Sequence, residues 1–401
     1  MNRSILGLAW LFMLGQTLYS QSSHIPSFGK GILDFTAPDS SWSLKLGARI
    51  QLLSDQEWTV NSTGNFTNST SNFQIRRSRL KLDGFAYSPK LEYKIEFGLS
   101  NRDMSGVSAF TSSSPRYIMD AVVKWNFFEN FVLWIGQTKL PGNVERVISS
   151  GNLQLVDRSI LNSRFNIDRD IGLQLRHETN LSSDFLIREI LAFSQGEGRN
   201  VTTGNLGGHE FTARMELLPF GAFSKDGEYS GGDLVREPKP KFMLASSYDY
   251  NNNAVRTRGN QGSYMTTTNG FYQTPISTLF VDAVFKYSGF SVMAEYANRN
   301  AENPIAINSD GTITGQFVEV GKALNMQTGY LFKTNWELAG RLTHVDWDRQ
   351  ITGRGKQNQY TLGLSRYLVG HKLKLQTDLS YLSNELNSNE FLWRLQMDLH
   401  F

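Results

Sequence analysis

From Ser41 to the last residue, apolar side chains return at every second position. Leu44, Leu46, Ala48, Ile50 and Leu52 share one face of the first such segment, with Lys45, Arg49 and Gln51 on the other. Leu91, Tyr93, Ile95, Phe97 and Leu99 oppose Glu92, Lys94 and Glu96, and Leu373, Leu375, Leu379 and Tyr381 oppose Lys372, Lys374 and Asp378. A period of two marks a strand with one face out of water, and helical periodicity is scarce. About sixteen segments follow this rule, at 41–53, 74–87, 90–101, 117–127, 130–137, 168–178, 184–194, 209–218, 240–250, 277–287, 289–298, 323–333, 335–347, 357–368, 371–382 and 389–401. Most have the roughly 9 to 11 residues that a tilted strand needs to cross a bilayer.

The connections alternate as well. Short ones fall at Ser88-Pro89, Phe128-Glu129, Ser288-Gly289, Thr334 and Val369-Gly370, and long polar ones at 54–73, 102–116, 138–167, 195–208, 251–276 and 299–322. Short turns at one end and long loops at the other is the layout of an outer-membrane barrel. The stretch 219–239 is the exception, a long insert where a short turn is due. Tyr87, Trp125, Phe127, Tyr287, Phe332 and Trp336 lie near the short turns, as an interfacial girdle requires. In a soluble sandwich the apolar faces would have to meet one another. Here nothing in the chain is left to cover them, and lipid can. The expected fold is all-β: a transmembrane antiparallel β-barrel of about 16 strands. Its last segment, FLWRLQMDLHF, must pair with the first to abolish both sheet edges, and it resembles the C-terminal strand of outer-membrane proteins in ending on an aromatic residue, Phe401.

Composition narrows the class. Only 40% of residues are apolar while 12% are aromatic, which suits strands that are half wet. The absence of Cys excludes disulfides, thiolate metal sites and cysteine nucleophiles, and no motif calls for a metal or cofactor. A net charge of +3 is too weak a balance to suggest nucleic acid. Asn2 and Arg3 before the apolar run Ile5–Leu14 read as a signal peptide over 1–20. An N-terminal periplasmic segment at 21–40 and the barrel at 41–401 would follow, in the outer membrane of a Gram-negative bacterium.

The strongest basic cluster is FQIRRSRLKLDGF at 73–85. Arg77, Arg79 and Lys81 share its inward parity, joined on neighbouring strands by Lys45, Arg49, Lys94 and Lys124. Forked guanidinium donors suit phosphate and carboxylate oxygens, so this set would line a lumen as pore-facing cations. Alternatively Asp83, Glu92 and Glu96 neutralise the ladder. Arg76 breaks the outward parity and is expected at the membrane rim. Over the whole chain, alternation places about 17 basic and about 12 acidic side chains inward, a mild lean toward anions. The interval 136–172 holds Lys139, Glu145, Arg146, Asp157, Arg158 and Arg164 among Leu140, Val144, Val147, Leu153, Leu155 and Ile160. That many apolar residues favour a loop folded inward to constrict the pore over one packed outside.

On the basic strand from Arg77 to Asp83, Gly136-Gln137-Thr138-Lys139 with Pro141 and Glu145, Asp157-Arg158-Ser159, and Arg169-Asp170 before Gly172, the chain resembles the phosphate-selective porin O and P family. The resemblance implies a sixteen-stranded porin, a homotrimer, with an inward third loop. The expected activity is passive diffusion of small polar solutes and ions with mild anion preference, outer-membrane lipid and small anions being the partners. A phosphate or polyphosphate channel is the alternative, although acidic residues are interspersed along this third loop. A barrel adhesin or receptor, or an outer-membrane hydrolase using His344 with Asp346 and Asp348, ranks below these, and no catalytic residue is assigned.

Overall fold

The computed structural model describes residues 26–61, 63–104, 110 and 116–401. The expected signal peptide and the start of the 21–40 segment lie outside the described residues. Sixteen strands form a closed antiparallel barrel. They are β1 (Ser43–Val60), β2 (Phe66–Ala86), β3 (Ser88–Gly98), β4 (Ile118–Phe128), β5 (Phe131–Lys139), β6 (Arg169–Asn180), β7 (Leu186–Ser194), β8 (Glu210–Leu218), β9 (Lys241–Ala254), β10 (Thr274–Tyr287), β11 (Phe290–Ala301), β12 (Gly321–Leu331), β13 (Trp336–Trp347), β14 (Gln357–Val369), β15 (Leu373–Asn384) and β16 (Asn389–His400). Each pairs with its neighbours in the chain, and β1 closes the ring on β16 from Arg49 opposite His400 to Val60 opposite Asn389. The Phe401 amide donates to the Ala48 carbonyl at 2.8 Å, so the apolar end of the chain is held in the sheet. Where β16 stops, a short strand, Leu33–Thr36, takes its place against Leu46–Ser43 of β1. Phe28 meets Phe401 edge-on beside it, at 6.4 Å.

Alternation sorts the two faces sharply. Leu379 and Leu395 are 45% and 47% exposed, while their chain neighbours Asp378 and Gln396 are at 1%. Outward apolar side chains of this kind need hydrocarbon, because water would leave them all uncovered. Tyr87, Trp125, Phe128, Tyr287, Phe332 and Trp336 also point outward near the short turns. One of those turns, Ser288-Gly289, has φ of 49° and 89°, the left-handed pair that follows the twist of a hairpin. We expect Leu395→Arg, near the middle of β16, to lower folding stability in lipid bilayers by about 2–4 kcal/mol. Denaturant titration of folded and unfolded gel bands measures it, and a loss below the scatter of the titration would place that face out of lipid.

Two expectations need correction. The polar stretch 54–73 is no loop: β1 and β2 run on through it as a paired ladder, with Asn61 and Gly64 at the tip. Arg76 is not at the lipid rim. Pairing jumps from Gln51–Arg77 to Leu52–Ile75, so Arg76 is the extra residue of a β-bulge, which re-aims a side chain; it is 1% exposed and points inward. The insert 219–239, the exception to the turn pattern, contains no strand, only a 3₁₀ turn at Gly227–Tyr229, so the count of sixteen stands.

Candidate functional site

Between β5 and β6 the chain forms two short helices, α1 (Val144–Val147) and α2 (Ile160–Phe165), and lies inside the barrel. Its apolar residues explain why. Leu140, Leu161, Phe165 and Ile167 pack on Phe280, Ala297, Ala323, Val345 and Trp347 of the far wall, and Val144, Ile148 and Leu153 pack on Met243, Ala245, Val284 and Met293. Inward positions of β9–β13 are therefore small or apolar where the loop docks. Polar contacts fix its register. Asn143 Nδ2 and the Glu145 amide donate to Glu295 Oε1 at 3.0 and 2.8 Å. The Val156 amide donates to Asp378 at 3.1 Å, Arg341 donates to the Asp157 carbonyl at 2.7 Å and Lys374 to the Leu153 carbonyl at 2.8 Å. Ser159 caps α2 by accepting from the Asn162 amide at 3.1 Å. The insert 219–239 enters from the short-turn end and meets the loop where the Gly231 amide donates to the Asn152 carbonyl at 2.6 Å. Lys286 anchors it, donating to the carbonyls of Gly227 at 2.6 Å and Ser230 at 2.8 Å.

Loop and insert fill the side of the lumen against β9–β15 and leave a cavity of about 840 Å³ along β2–β7. Its lining holds twelve Lys and Arg against seven Asp and Glu. Of the cations named from parity, Arg77, Arg79 and Lys94 border this cavity. Arg49 points inward but is covered by the loop, donating to Ser150 Oγ at 2.8 Å and gripping Asp398 through two bonds of 2.9 Å. Lys81 pairs with Asp83 at 2.9 Å and Lys124 reaches Glu92 at 3.4 Å; Lys45 stands opposite Asp83 on β2. Of the loop set, Arg146, Asp157 and Arg158 line the cavity. Lys139 lines it too, as the last residue of β5, capping the end of α1 through the carbonyls of Arg146, Val147 and Ile148 at 2.8–3.2 Å. Glu145 is turned into the far wall, accepting from Ser159 Oγ at 2.5 Å. Arg164 is absent from the lining; its carbonyl accepts from Arg299 at 3.0 Å.

The loop crosses to the basic strand at Asp157. Its carboxylate pairs with Arg76 and stands 3.9 Å from both Arg77 and Arg394. Burial works to raise its pKa, but Arg76, Arg77 and Arg394 together outweigh burial and hold it below the usual carboxylate range. A depressed carboxylate stabilises the fold above the unfolded-state value and loses that contribution as pH falls through the folded value. The knot should thus leave stability flat from pH 7 to about 5 and erode it below about 4. Unfolding midpoints against pH, with Asp157→Asn as the reference lacking that slope, check this.

Two lining cations, Arg199 and Arg258, escaped the sequence, whereas Arg158 belongs to the loop set and Arg176 to the inward parity. Arg158, Arg176, Arg199 and Arg258 have no carboxylate partner within ion-pair distance among the described residues; Arg158 and Arg258 donate to backbone carbonyls. Arg199 stands in the long polar connection 195–208, yet reaches the Asp103 carbonyl and the Met119 sulfur. Only the fold brings it to the lumen. His344 bonds to Asn358 at 2.7 Å, Asp346 lies 3.7 Å from Lys322 and Asp348 caps a short helix at Arg349–Thr352, so among the described residues no hydrogen bond joins His344 to either aspartate.

With that geometry in view, a family model described as phosphate-selective porin O and P matches residues 45–390. A curated relative, an uncharacterized protein of Aquifex aeolicus (strain VF5), is 23% identical over 367 residues, covering 83% of this chain and 81% of its own. Among solved structures, the anion-selective porin from Comamonas acidovorans superposes with a TM-score of 0.55 at 11% identity, covering 90% of this chain and 100% of its own. The outer membrane channel DcaP of Acinetobacter baumannii does so at 0.54 and 14%, covering 92% and 99%. OmpT of Vibrio cholerae, in its trimer form, does so at 0.50 and 11%, covering 89% and 99%. At these identities the structures speak for the fold.

Proposed function

The chain belongs to the phosphate-selective porin O and P family, and from that premise we infer that it is an outer-membrane porin of a Gram-negative bacterium, passing small polar solutes and ions by passive diffusion with a mild preference for anions. The observation that carries the preference is the excess of twelve cations over seven acids along the open lumen, several of them bound only to neutral acceptors. In a narrow polar channel a surplus charge of one sign raises the local concentration of its counterions. The ladder is partly neutralised by its neighbours: Arg79 binds Glu96 and Asp103 at 2.8 and 2.7 Å. A mild bias follows from that, rather than a strict filter. Its chemistry is that of a channel rather than an enzyme.

A phosphate-selective channel is the second reading, favoured by the knot of Arg76, Arg77 and Arg394 around one carboxylate. Reversal potentials in a potassium chloride gradient, followed by titration with inorganic phosphate, separate the two. We expect a chloride-leaning potential and little block at millimolar phosphate; strong block would favour the second reading, and a cation-leaning potential would end the first. A homotrimer is the assembly we expect, as in the trimer form of OmpT.

A further inference from the structure

Toward the short-turn end the lumen changes character. Val132 and Trp134 of β5, Arg176 of β6, Ile190 of β7 and Tyr229 of the insert border the cavity there. Val132, Arg176 and Ile190 stand opposite one another in register across three neighbouring strands, so an apolar side chain flanks the guanidinium on either side. The guanidinium carbon sits 3.8 Å from the centroid of the Trp134 ring, and Lys124 Nζ lies 4.6 Å from the same ring. Arg176 Nη2 donates to Gln174 Oε1 at 2.9 Å, and its buried Nε has no partner among the described residues. The nearby acids are engaged elsewhere: Glu178 binds Arg188 and Glu216 binds Arg214, each at 2.7 Å.

An aromatic face holds a guanidinium in place without cancelling its charge, which a carboxylate partner would do. Trp134 therefore fixes Arg176 and leaves its capacity for an anion unspent. Chloride or phosphate gains nothing from apolar flanks, whereas an anion with an apolar body gains about 25 cal/mol for each Å² it removes from water. We propose that this vestibule is a subsite for organic anions whose charge sits on a flat apolar body, aromatic carboxylates being the class that fits. The carboxylate bonds to the free edge of Arg176 and the ring lies among Val132, Ile190 and Tyr229, with Trp134 as a positioning residue. The proposal rests on the channel reading and adds a substrate class to it.

The test is block of chloride current through the full-length protein in planar bilayers by benzoate, with acetate as the anion lacking a ring. Benzoate should block at concentrations at least about tenfold below acetate, which corresponds to burial of about 60 Å² of ring surface. Arg176→Gln should raise the half-blocking benzoate concentration about tenfold, as loss of a charge-assisted bond does. Trp134→Ala should do the same, and Trp134→Phe, which keeps a π face, should restore block; a merely structural tryptophan would not show that rescue. A channel that conducts chloride but treats benzoate and acetate alike, or an Arg176→Gln channel blocked as well as the wild type, overturns the subsite alone. Absence of chloride current in the wild type would overturn the channel reading itself, and the subsite with it.

Discussion

Asp157→Asn should make the pore more anion-selective and its loop less firmly held. One carboxylate stands here among three guanidiniums, those of Arg76, Arg77 and Arg394, and the bulge has brought Arg76 to 1% exposure, its Nε and Nη1 without a partner among the described residues. Removing one partner of a buried ion pair costs about 3–5 kcal/mol, because the other charge is left uncompensated. Lumen water returns part of that here, since the Asp157 side chain keeps 23% of its surface. The charge balance along the lumen shifts by one unit toward positive in the same substitution. Lower denaturant midpoints, a reversal potential moved toward chloride and noisier open-channel current are the expected signatures. A variant matching the wild type in all three would mean that Asp157 anchors nothing.

The strands were readable because the bilayer imposes a strict rule: an outward position must be apolar and its neighbours face water, so Leu379 and Leu395 declare the sheet on their own. What stayed hidden depends on contacts between parts distant in the chain. Small and apolar inward residues such as Ala245, Met293 and Ala323 look like ordinary strand positions until the loop is seen to rest on them. The loop's own excess of Leu and Val pointed inward correctly, but gave no hint of which wall it meets. Arg76 misled for a local reason, since a one-residue bulge reverses the side every later side chain faces and parity was carried through it. The insert 219–239 stood out only as an anomaly in the turn pattern, and its entry into the lumen rests on Lys286 and Arg188, on β10 and β7. Selectivity is the least legible property, because it depends on which cations keep their charge unopposed, and Arg199 reaches the lumen from a loop with no periodicity at all.

Neutralising Arg77, Arg79 and Lys81 together to Gln should move the reversal potential toward cations by a several-fold change in the chloride-to-potassium permeability ratio. A unit charge about 10 Å from a permeating ion in water contributes roughly 0.4 kcal/mol, and three act in concert. Removing them also unmasks Asp83, Glu96 and Asp103, their present partners. Formal charge alone cannot produce the shift, and a second variant shows why. Lys322, Arg349 and Lys356 at the long-loop end, with side chains 60%, 61% and 57% exposed, carry the same total charge but stand in bulk solvent, where counterions screen them within about 10 Å at 0.1 M salt. Their neutralisation should leave the potential where it was. At 1 M salt the screening length falls to about 3 Å, so the ladder's shift should shrink while the rim variant stays silent. Equal responses from the two triples would show that the barrel's interior charges are not on the path that ions take.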